Sequence, residues 1–179
     1  VRTTALLESQ VDTIAYYSTW GMKLHHSDGP FGQLYQCRDT YGGDEISISN
    51  YRKILADTGM DCLDVMIDAG RKHGIEVFHS NRMNDWHSSF DPTLMYNISV
   101  EHPEWLLSTQ EQGGKYQYPD VRSCWATWDF EVPEIRQLTV DALREVCENY
   151  DIDGIELDFL RGTMYFKPTI QHATVEQKH

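Results

Sequence analysis

The chain is 179 residues long, with 40% hydrophobic and 12% aromatic residues, enough apolar material to enclose one core. Lys and Arg number 15 against 28 Asp and Glu, so the formal charge is −13. That balance excludes no enzyme class. It does argue against a nucleic acid or an anionic membrane surface as partner, since both are held by clustered cations, and no run approaches the ~18 apolar residues of a membrane span.

Cysteines stand at 37, 62, 124 and 147 with no CxxC pair, which offers neither a zinc-knuckle spacing nor a dense disulfide framework. Cys62 and Cys147 fall on apolar helix faces, where a buried free thiol is expected. The compartment stays open, and the triplet Asn97-Ile98-Ser99 is too common a pattern to decide it. Because the chain opens on Val1 with no signal-peptide pattern, a piece of a longer protein is expected.

The first element in chain order is a strand, VDTIAYY (11–17), followed by a long loop rich in Gly, His and Tyr. Ser47 or Ser49 can cap a short helix reaching about Asp57, and Asp61 a second one reaching His73. In that second helix Leu63, Met66, Ile67 and Gly70 recur at helical spacing, and Gly74 stands where a left-handed C-cap is wanted. IEVFHS (75–80) reads as the next strand, and a long loop over about 82–121 carries the Pro-led turn HPEW (102–105). SCWATWDF (123–130) is a weaker strand candidate. Pro133 suits a first helical turn and Glu134 complements its dipole, while Ile135, Leu138, Ala142, Leu143, Val146 and Cys147 form an apolar stripe. GIELDF (154–159) is the last strand, and the polar tail 168–179 is expected to fray.

Strands alternating with helices predict an α/β fold with parallel strands, in one domain over 1–179. The long connections follow strands and the short ones follow helices. A TIM-barrel type (β/α) arrangement has this asymmetry, because its functional loops leave the C-terminal ends of the strands.

Within DGIELDFLR (153–161), Ile155, Leu157 and Phe159 share one face and Glu156 and Asp158 the other. With the apolar set against helices, the acids look toward the barrel axis, their side chains starting about 7 Å apart. Burying unpaired carboxylates costs several kcal/mol, so the site must be wet, paired or metal-bound. An internal salt bridge with Arg161 or Arg82 is the structural alternative. After the second strand, SNRMNDWH (80–87) offers Arg82, Asn84, Asp85 and His87 as hydrogen-bonding groups and Trp86 as a stacking face. Tyr16 and Trp20 stand at the exit of the first strand as aromatic platforms, with His25 and His26 better read as surface residues.

AGRKHGIEVFHSNRMND (69–85), WDFEVPEIRQ (128–137) and YDIDGIELDFLR (150–161) resemble, in this order, glycoside-hydrolase-like proteins of the bacterial family ten-like group, over about residues 11–165. The resemblance implies the first four or so βα units of an eight-unit barrel, a partial barrel since closure takes about 250 residues. The remaining half or self-association would then complete it. A carbohydrate substrate and hydrolysis of glycosidic bonds are implied, with no cofactor; Arg82, Asn84, Asp85 and His87 would then meet sugar hydroxyls, Trp86 a pyranose face, and Tyr16 and Trp20 would serve as sugar platforms. Asp153, Gly154 and Asp158 match the D-G-x-x-x-D pattern that ends in an essential acid, which makes Asp158 nucleophile or acid/base and Glu156 its orienting or acid-sharing neighbour; Arg161 joins the substrate contacts. Two other readings stay open. One is a metal-dependent hydrolase using His79, Asp85, His87, Glu156 and Asp158, and the other a non-catalytic sugar-binding module.

Overall fold

A computed structural model describes residues 6, 9–17, 29, 30, 57–85, 87–89, 95–109, 125–160 and 164–167. In chain order it contains β1 (Thr13–Tyr17), α1 (Cys62–His73), β2 (Glu76–Arg82), a 3-10 turn at His87–Ser89, α2 (Asn97–Glu101), a 3-10 turn at Pro103–Trp105, α3 (Pro133–Asn149) and β3 (Gly154–Asp158). The strands form one parallel sheet in the order β1-β2-β3. The tail from 168 and nearly all of the helix expected over 47–57 lie outside the described residues.

The capping signals around α1 are realised in full. Asp61 accepts from the N–H groups of Leu63 and Asp64, the Asp64 carboxylate accepts from Asp61 N–H, and Gly74 closes the helix at φ 69°. Gly70 lets α1 lie close on the sheet, since a Cβ there would stand 2.5 Å from Val77 Cγ2 and 2.6 Å from the Ile75 carbonyl oxygen. Tyr150, at the end of α3, donates its hydroxyl to buried Asp61 at 2.6 Å and so ties the two helices together. Ile14 and Tyr16 of β1 meet Val77 of β2, Leu63, Met66 and Ile67 of α1, and Ile135, Ala142 and Val146 of α3 in one cluster. Fully burying a side chain such as Leu63 or Ile135 contributes about 1.5–3 kcal/mol. The thiols differ from expectation: Cys62 is half-buried and Cys147 exposed, both free, and Cys37 and Cys124 lie outside the described residues. Cys147 misses the core because α3 turns Val146, its neighbour, inward.

The strand expected over 123–130 does not form in its described part. Residues 125–130 hold a single antiparallel bridge, Leu106 to Trp128, and β2 pairs directly with β3. Its main chain is occupied elsewhere: Leu107 N–H donates to Thr127 O, Ser108 N–H to Trp125 O, and Asp129 N–H to Trp105 O. Three strands, not four, are therefore the count among the described residues. The apolar face of β3 is also less covered than expected. Ile155 is half-buried, but Leu157 and Phe159 are exposed by 45% and 51%, as suits the edge strand of the described sheet.

Register fixes what shares a face. Cα partners in a parallel ladder point the same way, so Ala15, Phe78 and Gly154 form one row and Tyr17, Ser80 and Glu156 the next, with Arg82 beside Asp158 beyond them. Ile14, Tyr16, Val77 and His79 point oppositely, toward α1. Below β3, Asp153 donates its N–H to Val77 O and accepts from Val77 N–H at 2.7 Å. Arg71 reaches both Asp153 carboxylate oxygens at 2.8 Å and also contacts Asp151. The Val77 N–H, and after it Arg71, hold the Asp153 carboxyl below the usual range. That contribution is present above the ordinary carboxyl pKa and is lost as the pH falls through the lowered one.

Two predictions follow from these contacts. A Cβ at Gly154 would stand 2.6 Å from the Phe78 ring, so Gly154→Ala should cost about 1–3 kcal/mol in a urea melt by overpacking. Burial pushes the imidazole of His79 down to about 4 from 6.5, against a hydrogen bond with Asn81 that favours the protonated ring. Between those two values the unfolded chain binds a proton that the folded chain does not, so stability should fall by on the order of 3 kcal/mol as the pH drops across the window. Urea melts from pH 7 to pH 4.5 read this slope, which His79→Gln should flatten.

Candidate active site at the C-terminal end of the sheet

Arg82 and Asp158 are the last residues of adjacent strands, held abreast by the ladder and by Met83 N–H donating to Asp158 O. Asp158 Oδ1 accepts from Leu160 N–H at 2.8 Å, the short turn that ends β3. Its Oδ2 lies 3.9 Å from Arg82 Nε, and Arg82 Nη1 lies 3.6 Å from Asp85 Oδ1. The guanidinium sits 4.2 Å above the ring centroid of Tyr17. Side-chain exposure grades outward, from 8% at Asp85 and 13% at Arg82 to 25% at Asp158. Glu156, one row down on the same face, is exposed and forms no ion pair among the described residues. Two carboxylates thus open on solvent on one face, the outer one braced by a backbone N–H and a nearby guanidinium.

Asn84 takes a different position from that of a sugar ligand. It is 1% exposed, and its amide donates to Trp128 O and Met164 O while its oxygen accepts from Trp128 N–H and Asp85 N–H. With both donors and both acceptor sites filled by backbone, Asn84 acts as a clamp joining the loop after β2 to the segments at 128 and 164. Lys167 pairs with buried Asp129 at 3.3 Å, and Phe130 N–H donates to Tyr165 O. Tyr165 packs edge-on against Phe130 and Phe159 and donates its hydroxyl to Phe159 O. Burial and then the Asp158 charge push its phenol up to about 12, which locates Tyr165 in the electrostatic reach of the acid.

The structure therefore brings together Asp158, Glu156, Arg82 and Asp85. Tyr16 points to the helix side, where it hydrogen-bonds Cys62, and the tyrosine beside Arg82 is Tyr17. Strand parity was the signal that could have found Tyr17, because it shares a row with Ser80 and Glu156. Tyr165 carried no comparable signal, since no element precedes it in a readable register. Trp20, His25, His26, Trp86 and Arg161 lie outside the described residues, as does the side chain of His87. The metal set does not assemble as read, because His79 pairs with Ile155 in the ladder and is turned away from Glu156 and Asp158. Among the described residues no three His, Cys, Asp or Glu side chains come close enough to hold an ion. A separate cleft of about 580 Å³ lies between Asn97–Trp105 and the Glu134–Asp141 face of α3, and neither Asp158 nor Glu156 lines it.

Residues 45–177 match the family described as glycosyl hydrolase-like 10. The chain belongs to the glycosyl hydrolase-like 10 family. That match begins after β1 and takes in β2, α3, β3 and every described residue of the candidate site except Tyr17. Glycosyl hydrolase YngK of Bacillus subtilis (strain 168) is 27% identical over 105 residues, 57% of this chain but 18% of the relative. The chain thus corresponds to a small part of that longer protein.

The clamp is testable apart from any activity. Asn84→Ala leaves two buried and two half-buried backbone groups without partners, so a loss of about 3 kcal/mol or more is expected in urea melts. A loss below 1 kcal/mol would show that water replaces the amide without penalty.

Proposed function

We propose that the chain carries part of a (β/α) barrel that hydrolyses glycosidic bonds, with Asp158 and Glu156 as its acidic pair. The carrying observation is that both acids project from one face of β3, at its C-terminal end, in a member of a glycosyl hydrolase-like family. In parallel barrels the strand C-termini form the reaction face, and β1, β2 and β3 in sequential parallel order fit one arc of such a wall.

Asp158 suits the anionic role. The Leu160 N–H and the Arg82 guanidinium both complement negative charge at its carboxylate, which favours attack on an anomeric carbon or activation of water. Glu156 is the partner that orients Asp158 or exchanges a proton with the leaving oxygen. Retention needs about 5–5.5 Å between the two carboxyl groups and inversion about 6.5–9.5 Å. Their strand spacing of about 7 Å leans toward inversion if these two alone form the pair, and toward an acid elsewhere in the whole protein if the sugar is retained. A carbohydrate is accordingly the substrate class.

A second reading has one observation in its favour: Arg82 near Asp158 is also what a structural ion pair looks like. Full-length protein offered a panel of aryl glycosides separates the two. Asp158→Asn should lower kcat by at least about 10²-fold while leaving the melting temperature within a few degrees, and Glu156→Gln should lower it less. Wild-type turnover in Asp158→Asn would defeat the hydrolase assignment, and lost stability with kcat retained would establish the ion pair as architectural.

A further inference from the structure

Arg82 is the least settled side chain on the acidic face. Its Nε is buried, yet has no hydrogen-bond partner among the described residues, and the nearest Asp158 oxygen stands 3.9 Å away. A buried donor left unmade costs about 1–3 kcal/mol, so something else must hold the guanidinium there. Two groups do. The ring of Tyr17 lies under the guanidinium at 4.2 Å, and Asp85 stands 3.6 Å from Nη1 on the other arm of the side chain. Asp85 is itself placed by its N–H donating to Asn84, the saturated clamp. Arg82 therefore stays beside Asp158 without closing on it.

We propose that Tyr17 and Asp85 are positioning residues that act through Arg82, keeping its guanidinium near Asp158 while leaving the carboxylate free to react. Three features carry this. A guanidinium over an aromatic face is attracted by the ring quadrupole, an interaction that strengthens with desolvation, and Arg82 is only 13% exposed. Asp85 competes with Asp158 for the same cation, so neither carboxylate captures it in a bidentate pair. Asp158 meanwhile keeps 25% exposure, which a closed Arg82–Asp158 pair would reduce. Tyr17 reaches the site only because it shares a row with Ser80 and Glu156; Tyr16, one residue earlier, cannot substitute for it.

The effect on turnover rests on the hydrolase reading above, whereas the placement of Arg82 does not, and the experiment separates them. Full-length protein with arginine-selective ¹⁵N labelling gives the Arg82 Nε–H resonance, assigned by its loss in Arg82→Lys. It should lie upfield through the Tyr17 ring current and show a heteronuclear NOE close to that of rigid backbone. Tyr17→Phe keeps the aromatic face and should keep both signatures. Tyr17→Leu should drop the NOE toward that of Arg144, whose side chain is 56% exposed. Asp85→Asn, which preserves volume, should do the same in part and serves as the second arm if Leu at position 17 impairs folding. An Arg82 NOE as high in both Tyr17→Leu and Asp85→Asn as in the unaltered protein overturns the proposal. In the kinetic arm, Tyr17→Leu should lower kcat on an aryl glycoside by about tenfold or more with KM within about twofold. If the unaltered protein turns over none of the glycosides, the hydrolase reading falls and the NOE result still decides the role of Tyr17 and Asp85.

Discussion

The grip of Asp153 on Val77 is the constraint from which the acidic face follows. Main-chain N–H and carboxylate of one residue engage the N–H and C=O of another, so β3 can enter the sheet beside β2 in one register only. A slip by one residue would turn every side chain of β3 to the opposite face. Glu156 and Asp158 would then face the α1 side, and Leu157 would take the place beside Arg82. Arg71 reinforces the grip from the last turn of α1, which couples the helix, the turn before β3 and the start of β2 into one unit. Gly154 follows at once because the Phe78 ring occupies the volume its side chain would need.

Local chemistry made part of this fold legible in the sequence. Asp61, Asp64 and Gly74 act on backbone groups within a few residues, so the bounds of α1 could be read directly. The alternation in β3 was equally readable, since a strand has only two faces and Ile155 and Glu156 must divide between them. What failed to read depends on distant partners. Trp128 and Phe130 flank Asp129 as a strand's alternation would have it, yet the backbone of Trp128 is engaged by Asn84, which lies 44 residues earlier. The same long-range bonding hid the role of Asn84, whose polarity looked like an offer to sugar and is spent on backbone instead. Tyr16 and Tyr17 show a third kind of limit: adjacent tyrosines are indistinguishable in composition, and only pairing β1 to β2 tells which one reaches Arg82.

Membership in a glycosyl hydrolase-like family accords with how the polar groups above the sheet are arranged. The loop after β2, the turn at 128–131 and the segment at 164–167 are not left to find one another by apolar contact alone. Asn84 bonds to all three, and the Lys167–Asp129 pair and the Phe130–Tyr165 backbone bond repeat the attachment. Buried polar connections of this kind cost desolvation and add little net stability compared with apolar packing, but they specify one geometry. Under the proposed hydrolase reading that exchange is reasonable, because placement errors of about 1 Å at a reacting centre are expensive in rate.

The two ends of the sheet use charge in opposite ways, and the contrast bears on where chemistry belongs. At the N-terminal end Arg71 makes hydrogen bonds of 2.7–3.1 Å to Asp151 and Asp153, and Asp153 closes on backbone as well, so the cation and its acid are saturated. At the C-terminal end the spacings lengthen to 3.6 and 3.9 Å, Arg82 Nε goes without a hydrogen bond, and Glu156 faces solvent with no ion pair among the described residues. Closing Arg82 onto Asp158 by about 1 Å would give a stronger pair, so the second arrangement is not the one that pairing energy alone favours. The open arrangement therefore lies at the end of the sheet where parallel α/β proteins place their reactive groups, and it is there that the proposed hydrolase reading puts Asp158 and Glu156.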